Sequence, residues 1–209
     1  MLLDFDHILK KYNMKVNGVI HIGAHYGDEV IKNYIPNDIK NITLFEPVLK
    51  TFEILEKRMK DVNANISAYQ VALGSKKGKE YININTNNNG QSTSLLKPKQ
   101  HLIDHPWVTF DGKEEVEVDI LDNYDTGDSN LINIDVQGYE LEVFKGAKNT
   151  ILKIDYIISE VNRGEMYEKN VLVDDLDDYL LKYGFRRVET FWPTESYNWG
   201  DALYVREKK

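Results

Sequence analysis

Two glycines and two carboxylates stand together near the start of the chain, in the run GVIHIGAHYGDEV. Gly23 and Gly27 follow an apolar, strand-like run, and Asp28 and Glu29 come directly after the second glycine. A glycine turn between a strand and a helix is a common ligand site, because the N-terminus of the helix attracts anions. Here the two carboxylates oppose the positive end of the helix dipole. The turn therefore favours a ligand without phosphate groups.

Two nucleotide sites compete for such a turn and match it poorly. A P-loop needs a lysine and a serine or threonine after its last glycine, where this chain has Asp28 and Glu29. A dinucleotide turn has three glycines, and His25 occupies the place of the middle one, where it would keep the backbone off a pyrophosphate. S-adenosylmethionine has no phosphate and carries cationic groups, so it suits this turn better.

Glu46 is the next candidate, because it ends the second predicted strand of the chain. In that place its carboxylate could accept hydrogen bonds from both hydroxyls of a ribose. The alternative is purely structural: the glycines form a tight turn, and Glu46 caps the helix that begins after Pro47. The glycine turn alone leaves both interpretations open, and the place of Glu46 at the end of the second predicted strand favours the ligand site.

Two further carboxylates, Asp135 and Glu160, lie at the ends of the fourth and fifth predicted strands. A hydroxyl that accepts a methyl group must lose its proton, and a carboxylate can remove it. Asp135 could instead cap the helix that starts near Gly138, and Glu160 could pair with Arg163. With Glu140 they could hold Mg²⁺, which prefers oxygen ligands. No spacing requires this ion, so no metal is predicted.

Strand patterns alternate with helix patterns around these residues. Such alternation predicts a mostly parallel sheet covered by helices on both faces. The last two strands have no helix between them, so we expect them to pair antiparallel at one edge of the sheet. The predicted strands are residues 19–22, 42–45, 66–73, 131–136, 156–161, 185–191 and 202–205.

Helices are predicted from apolar spacing and from their end signals. A short amphipathic helix begins the chain, and a second helix covers about residues 28–34 and ends near Pro36. Two later helices carry apolar faces made of Leu49, Phe52, Leu55 and Met59 and of Leu172, Leu176 and Leu180, the latter ending at Gly184.

The alternation stops between Gly74 and Asn130. Apolar residues there recur with the period of two that is typical of strands. About residues 75–130 are therefore predicted to form a β-rich insertion within a single domain of residues 1–209. His101 and His105 lie in this insertion and could reach the acceptor, but we expect them to be surface loop residues.

Composition limits the class of protein. The 209 residues carry a net charge of -8, with no cysteine, which excludes disulfides and thiolate metal sites. An acidic chain argues against nucleic-acid binding. No apolar run is long enough to span a membrane, and the first residues are too charged for a signal peptide. We therefore expect a cytoplasmic protein without membrane insertion. A homo-oligomer is left open.

The chain resembles the FkbM-type S-adenosylmethionine-dependent methyltransferases, a branch of the class I, Rossmann-like enzymes. The resemblance extends from about residue 18 to residue 206. It depends on VIHIGAHYGDE, LFEP, YQVALGS and GQSTSL, and above all on LINIDVQGYELEVFKGA with IISEV after it. The family usually has an acidic residue where this chain has His21 and a glutamate where it has Gln137. The first departure makes the role of His21 doubtful, and a buried, hydrogen-bonded core residue is the better interpretation.

The resemblance implies a Rossmann-like class I methyltransferase sandwich, with a seven-stranded sheet and an antiparallel last strand. It also implies that S-adenosylmethionine is the cofactor, and it favours a functional role for Asp135, both beside the cofactor and in catalysis. Glu160 is a second catalytic candidate because of its place at a strand end, and its structural alternative stays equally open. The cofactor residues that it implies are Gly23, Ala24, His25 and Gly27 around the methionine part, Glu46 and Pro47 at the ribose, Ala72 and Leu73 near the adenine, and Ser94.

The segment after the fourth predicted strand bears on the class of acceptor. Methyltransferases that act on amino groups of nucleic acid usually carry an Asn/Asp-Pro-Pro-aromatic run there, whereas this chain has DVQGY. Family members resembling it act on hydroxyls of sugars, glycans and other natural products. Trp192, Tyr197 and Trp199 could stack on a sugar ring or could be ordinary packing. We therefore predict an O-methyltransferase for a sugar or glycan hydroxyl. A lipid, peptide or polyketide hydroxyl, or an inactive cofactor-binding module, is the alternative.

Overall fold

The computed structural model describes residues 1–207 and contains ten strands and five α-helices within them. The strands are β1 (Gly18–Ile22), β2 (Asn41–Phe45), β3 (Asn65–Tyr69), β4 (Ala72–Leu73), β5 (Gly78–Asn85), β6 (Phe110–Asp119), β7 (Leu131–Ile134), β8 (Tyr156–Asn162), β9 (Phe185–Phe191) and β10 (Trp199–Arg206). The helices are α1 (Phe5–Lys11), α2 (Leu49–Met59), α3 (His101–Asp104), α4 (Glu140–Lys145) and α5 (Val173–Leu181).

Seven strands form the main sheet, in the order β3-β2-β1-β7-β8-β10-β9. The first five of these are parallel neighbours, and β10 is antiparallel to both β8 and β9. This arrangement confirms the predicted fold class, including the antiparallel last strand. The chain proceeds from β1 outward to β3 and returns to place β7 on the other side of β1. Ligands of open α/β sheets bind at such a reversal, outside the carboxyl ends of the strands.

The two faces of the main sheet are both covered, which explains why its central strands are continuously apolar. In β1, Val19 packs on one face against α1 and α2, and Ile20 and Ile22 pack on the other against α4 and α5. All five residues of β1 are buried, His21 among them. These layers hold the carboxyl ends of β1, β2 and β7 at one edge of the sheet.

The insertion forms a second, three-stranded sheet in the order β4-β6-β5. It has its own small core, which includes Ile82, Val116 and Val118. The predicted β-rich insertion is therefore confirmed in kind. The predicted third strand, residues 66–73, was wrong in extent, because the chain leaves the main sheet after Tyr69 and β4 pairs with β6 instead.

The helix boundaries differ from the prediction in three places. Residues from Asp28 onward are helical, but Val30–Tyr34 form a π-helix that continues into a 3₁₀ turn, Ile35–Asn37. Pro36 is tolerated within that turn because it lies at the first positions of the 3₁₀ turn, where a backbone N–H would have no partner within the turn. Leu49 and Leu172 are exposed, since each lies at the start of its helix, outside the buried face. Across the described residues, every helix is too short or too polar to cross a lipid bilayer.

Candidate active site

A cavity of about 630 Å³ opens at the carboxyl ends of the parallel strands. The second sheet forms one wall of this cavity, and the loop before β10 contributes another part. Nearly all of the predicted site residues line it, which places them within one space. Those that do so are Gly23, Ala24, His25, Glu46, Pro47, Ala72, Leu73, Ser94, Asp135 and Glu160.

Gly23 and Gly27 have positive φ angles of 79° and 71°, as the turn requires. A methyl group added to Gly23 would lie 1.9 Å from the carbonyl oxygen of Asp135, so only glycine lets the turn approach the end of β7. Gly27 departs from the prediction that it wraps the cofactor, because it does not line the cavity. A methyl group there would meet Leu55 and Met59 of α2, so Gly27 permits helix packing instead.

Backbone hydrogen bonds attach the glycine turn to the end of β2. Gly23 and Ala24 both donate from their backbone N–H to the carbonyl oxygen of Phe45, at 2.9 Å each. Glu46 then accepts from the backbone N–H of His25 at 3.1 Å and from that of Val48 at 3.0 Å. The carboxylate thus joins the turn to the segment that leads into α2.

Glu46 is buried, and burial raises the pKa of its carboxyl to about 7. The two backbone donors oppose this shift because they favour the charged form. Each carboxylate oxygen has two lone pairs, so each can accept one more hydrogen bond at the cavity. The bond to Val48 corresponds to the helix-cap interpretation, and the position on the cavity wall corresponds to the ribose interpretation. One carboxylate can serve both roles.

The cavity wall beyond Glu46 is apolar, with Val71, Ala72 and Leu73 on one side and Ile82 of β5 nearby. Ser94 lies between this wall and β7. Its hydroxyl donates to the backbone carbonyl of Gln137 at 2.8 Å and accepts from the N–H of Leu96 at 3.0 Å. Ser94 therefore connects the second sheet to the segment after β7.

Asp135 and Glu160 are linked by a side chain that was not assigned a role from the sequence. Gln137 donates from its amide nitrogen to Oδ1 of Asp135 at 2.8 Å and to both carboxylate oxygens of Glu160 at 3.1 Å. Its amide oxygen accepts from the hydroxyl of Tyr167 at 2.6 Å. We name these four residues the Gln137 network. A glutamine can make this link because its amide provides two donors and an acceptor.

The structural alternatives for the two carboxylates are wrong. Asp135 does not cap α4, whose start has no side-chain cap. The carboxyl group of Glu140 instead accepts from the backbone N–H groups of Val136 and Gly138, in the segment before the helix, at 3.2 and 3.1 Å. Glu160 does not pair with Arg163, whose guanidinium stacks on Trp192 with 4.7 Å to the ring centre.

Burial raises the pKa of Glu160 well above its usual range, and the nearby Asp135, Glu140 and Asp201 raise it further. Burial also raises the pKa of Glu140 to about 7. Glu140 and Glu160 are buried, whereas Asp135 is exposed to solvent. Within residues 1–207, no group of three or more His, Cys, Asp or Glu side chains has a geometry that could hold a metal ion.

His21 is buried, as a core residue should be. Its Nδ1 lies 3.3 Å from the hydroxyl of Tyr34, and its Nε2 lies 3.4 Å from the amide nitrogen of Asn133. Burial lowers the pKa of its ring, which keeps it neutral.

The prediction that His101 and His105 are surface residues was wrong. Both are buried and line the cavity, because α3 and the loop after it turn inward between the two sheets. Nε2 of His101 lies 3.0 Å from the hydroxyl of Ser92, and burial lowers the pKa of this histidine to about 4. His105 has its ring 5.6 Å from that of Tyr197 and 5.3 Å from that of Trp107.

The aromatic loop before β10 divides into two environments. Tyr197 and Trp199 line the cavity and stack on each other, with 5.8 Å between ring centres and 19° between planes. Trp192 is partly buried and packs against Arg163 and the hydrophobic core instead. Two of the three predicted aromatic residues thus reach the cavity.

Comparison with known proteins decides the family. The model of the methyltransferase FkbM domain matches residues 21–187, which is more than half of the chain and includes most of the cavity. The chain belongs to the FkbM methyltransferase family.

The chain is also similar to one characterised protein and to two solved structures. The 2-O-methyltransferase NoeI of Sinorhizobium fredii is 36% identical over 96 residues, 44% of this chain and 40% of that protein. Methyltransferase FkbM from Methylobacillus flagellatus superposes with a TM-score of 0.60 at 16% identity, over 90% of this chain and 43% of its own. Magnesium protoporphyrin IX methyltransferase (ChlM) from Synechocystis, solved with SAM bound, superposes with a TM-score of 0.56 at 12% identity, over 97% of this chain and 76% of its own.

The match thus spans less than half the length of NoeI and of the M. flagellatus protein. At identities below 25%, the two solved structures establish the fold alone. That fold is the Rossmann-like methyltransferase sandwich expected from the sequence.

Proposed function

We propose that this protein is an S-adenosylmethionine-dependent O-methyltransferase that methylates a hydroxyl, with a sugar or glycan as the preferred acceptor. One observation carries the proposal: a single cavity joins the glycine turn and Glu46 to Asp135 and the Gln137 network. A ligand that extends from Glu46 along the strand ends would present its far end to Asp135.

The residues on the cofactor side fit S-adenosylmethionine. Free lone pairs on the Glu46 carboxylate suit two ribose hydroxyls, and the apolar wall of Val71, Ala72 and Leu73 suits a flat adenine. A phosphate would fit badly, since Asp28 and Glu29 come after the turn on the cavity wall. Family membership supports the same cofactor.

S-adenosylmethionine, when bound, supplies an activated methyl group for an in-line displacement. The protein then has to align the acceptor hydroxyl and remove its proton. Asp135 is the better base of the two carboxylates. Burial and the nearby carboxyl groups raise the pKa of Glu160, which disfavours its charged form, whereas Asp135 meets solvent at the end of β7.

Gln137 supports this division of roles. Its amide donates to Oδ1 of Asp135, which orients the carboxylate and leaves the second oxygen free to receive a proton. The same amide donates to Glu160, which keeps that carboxyl group in place beside Asp135. Asp135 is therefore proposed as the catalytic base, and Glu160 as a neighbour that positions it through Gln137.

An oxygen acceptor is also favoured by two other observations. The relative from S. fredii is named a 2-O-methyltransferase. The segment after β7 is DVQGY, without the two prolines typical of enzymes that methylate amino groups of nucleic acid. Lipid, peptide and polyketide hydroxyls remain the other acceptor classes to test, and Mg²⁺ is not required by the proposal.

The experiment has two stages. Thermal unfolding is first measured with S-adenosylhomocysteine or with NAD, because a ligand that binds only the native protein raises the melting temperature. We expect stabilisation by the thioether and none by NAD; the reverse result would refute the cofactor. Activated sugars and glycans are then incubated with S-adenosylmethionine, and mass spectrometry detects the added methyl group. Methylation of amino groups alone would refute the oxygen acceptor.

A further inference from the structure

Two buried polar atoms on the cavity wall have no hydrogen-bond partner. They are Nδ1 of His101 and the amide nitrogen Nδ2 of Asn162. His101 is 6% exposed and Asn162 is 2% exposed, and both line the cavity. An unpaired buried polar group costs about 1–3 kcal/mol, so such atoms usually have a partner in the functional complex.

Aromatic rings lie beside both atoms. His105 stands 4.9 Å from His101 and 6.5 Å from Trp199, measured between ring centres. Asn162 is the register partner of Trp199 where β8 pairs with β10. We propose that His101, His105, Asn162, Tyr197 and Trp199 form a binding subsite for an uncharged, hydroxylated ring of the acceptor, and we name it the aromatic subsite.

The chemistry of the two unpaired atoms selects a hydroxylated ligand. The low pKa of His101 keeps its imidazole neutral, so one nitrogen carries a proton and the other accepts. Nε2 already contacts Ser92, which can donate or accept, so Nδ1 can take either role. A hydroxyl is the ligand group that matches both states. Asn162 Nδ2 is a donor and needs an oxygen, which the same ring provides.

The aromatic rings select a ring with an apolar face. Tyr197 and Trp199 are stacked on each other and half-buried, and they present ring surface at the cavity mouth. The C–H face of a pyranose packs well on such rings, while its hydroxyl edge would reach His101 and Asn162. A flat or purely aliphatic ligand would leave both polar atoms unpaired.

Charge argues against an anionic ring. Asp135, Glu160 and Asp201 line the same cavity, and Glu160 lies two residues before Asn162 on β8. An anionic acceptor, such as a uronic acid or a sugar phosphate, would be brought next to Asp135 and Asp201 and would be repelled by their carboxylates. The aromatic subsite should therefore distinguish neutral glycosides from their acidic counterparts.

This inference rests on the proposed function, because the subsite would hold the acceptor beside Asp135. Its test is therefore a binding measurement that needs no turnover. Saturation-transfer NMR is recorded for the full chain with methyl glycosides of common neutral hexoses and 6-deoxyhexoses, and with methyl glucuronide and methyl galacturonide, each with and without S-adenosylhomocysteine. Dissociation constants are obtained by titration.

We expect at least one neutral glycoside to bind and neither uronide to do so. His101→Phe keeps the ring and removes both nitrogens, and Asn162→Leu keeps the size and removes the amide. Each should weaken the binding of that glycoside about tenfold, as for the loss of one hydrogen bond. The matched controls His7→Phe and Asn63→Leu change exposed residues and should leave binding unchanged.

Tyr197→Ala provides a second route if a buried substitution prevents folding, because Tyr197 is half-buried in a loop. It should also weaken glycoside binding about tenfold, through loss of stacking. In every variant, calorimetry should give an unchanged affinity for S-adenosylhomocysteine.

The proposal is overturned if no neutral glycoside binds, if the uronides bind equally well, or if the folded subsite variants behave like the controls. A wild-type protein that binds a glycoside but not S-adenosylhomocysteine would refute the proposed function and leave the aromatic subsite standing.

Discussion

Gln137→Glu is the substitution that tests the Gln137 network most directly, and it introduces the residue that resembling family members usually have. The change keeps the size of the side chain and removes its two N–H donors. Oδ1 of Asp135 and the carboxyl group of Glu160 then lose the amide that lies 2.8–3.1 Å away. A further carboxyl group would lie between two others.

The expected cost can be worked out from these contacts. A hydrogen bond to a charged group contributes about 1.5–3 kcal/mol, and two carboxyl groups lose their donor. Since Asp135 is exposed and solvent screens it, we take the lower figure for its bond. The buried carboxyl group of Glu160, left without its donor, costs about 1.5 kcal/mol more, so we expect a total loss of about 3 kcal/mol. For a chain of this length, that corresponds to a melting temperature about 6–12 °C lower.

The cost should depend on pH in a defined direction. Neighbouring carboxyl groups raise the pKa of the introduced one, so its destabilising charge is present above that folded pKa. As the pH falls towards about 4.3, the pKa of a glutamate in the unfolded chain, the introduced carboxyl group becomes protonated and regains one donor. The loss of melting temperature at about pH 5.5 should therefore be roughly half of the loss at about pH 8.

Thermal unfolding monitored by circular dichroism at both pH values measures this effect. Gln70→Glu is the matched control, because it makes the same change of charge at an exposed position. Equal behaviour of the two variants at pH 8, or a larger loss for Gln137→Glu at the lower pH, would refute the bridging role of Gln137.

Three other predictions concern the same site. Asp135→Asn should lower turnover by about 10²–10⁴ if Asp135 is the base, with a much smaller change in S-adenosylhomocysteine affinity. Kinetics and calorimetry measure both quantities beside the exposed control Asp61→Asn, and turnover within a few-fold of wild type would contradict the assignment. Glu46→Ala should weaken cofactor binding by about 1.5–3 kcal/mol per charged hydrogen bond lost, whereas the exposed Glu53→Ala should not; an unchanged dissociation constant would leave Glu46 with a structural role only. The ligand-free protein should lose stability as the pH rises from about 5 to about 8, because burial raises the folded pKa values of Glu46 and Glu140 to about 7 and their contribution to the free energy of unfolding is lost through that range. A melting temperature that is flat or rises over this range would show that these carboxyl groups are not buried as described.

The residues at strand ends were predictable from the sequence because a parallel sheet has a simple geometry. Once the apolar runs before Gly23, Glu46 and Asp135 were recognised as neighbouring parallel strands, their carboxyl ends had to meet at one edge. The antiparallel pairing of β9 with β10 was predictable in the same way from the missing helix between them.

The features that the sequence did not reveal depend on contacts between distant segments. His101 and His105 stand in a polar stretch, and only the folding of the insertion over the main sheet buries them. The link from Gln137 to Glu160 joins residues 23 positions apart, one in the segment after β7 and one on β8, which no local pattern indicates. The end of β3 at Tyr69 likewise depends on β4 finding a partner in β6, more than 40 residues later.

The division of the cavity between two sheets has an evolutionary consequence. Gly23, Glu46 and Asp135 belong to the ends of the main-sheet strands, whereas His101 belongs to the insertion and Tyr197 to the loop before β10. Substitutions in the insertion and that loop can accumulate without moving the strand ends. Acceptor preference could therefore diversify between family members while the transfer chemistry is inherited intact, and a chimera that exchanges only these two segments should exchange specificity as well.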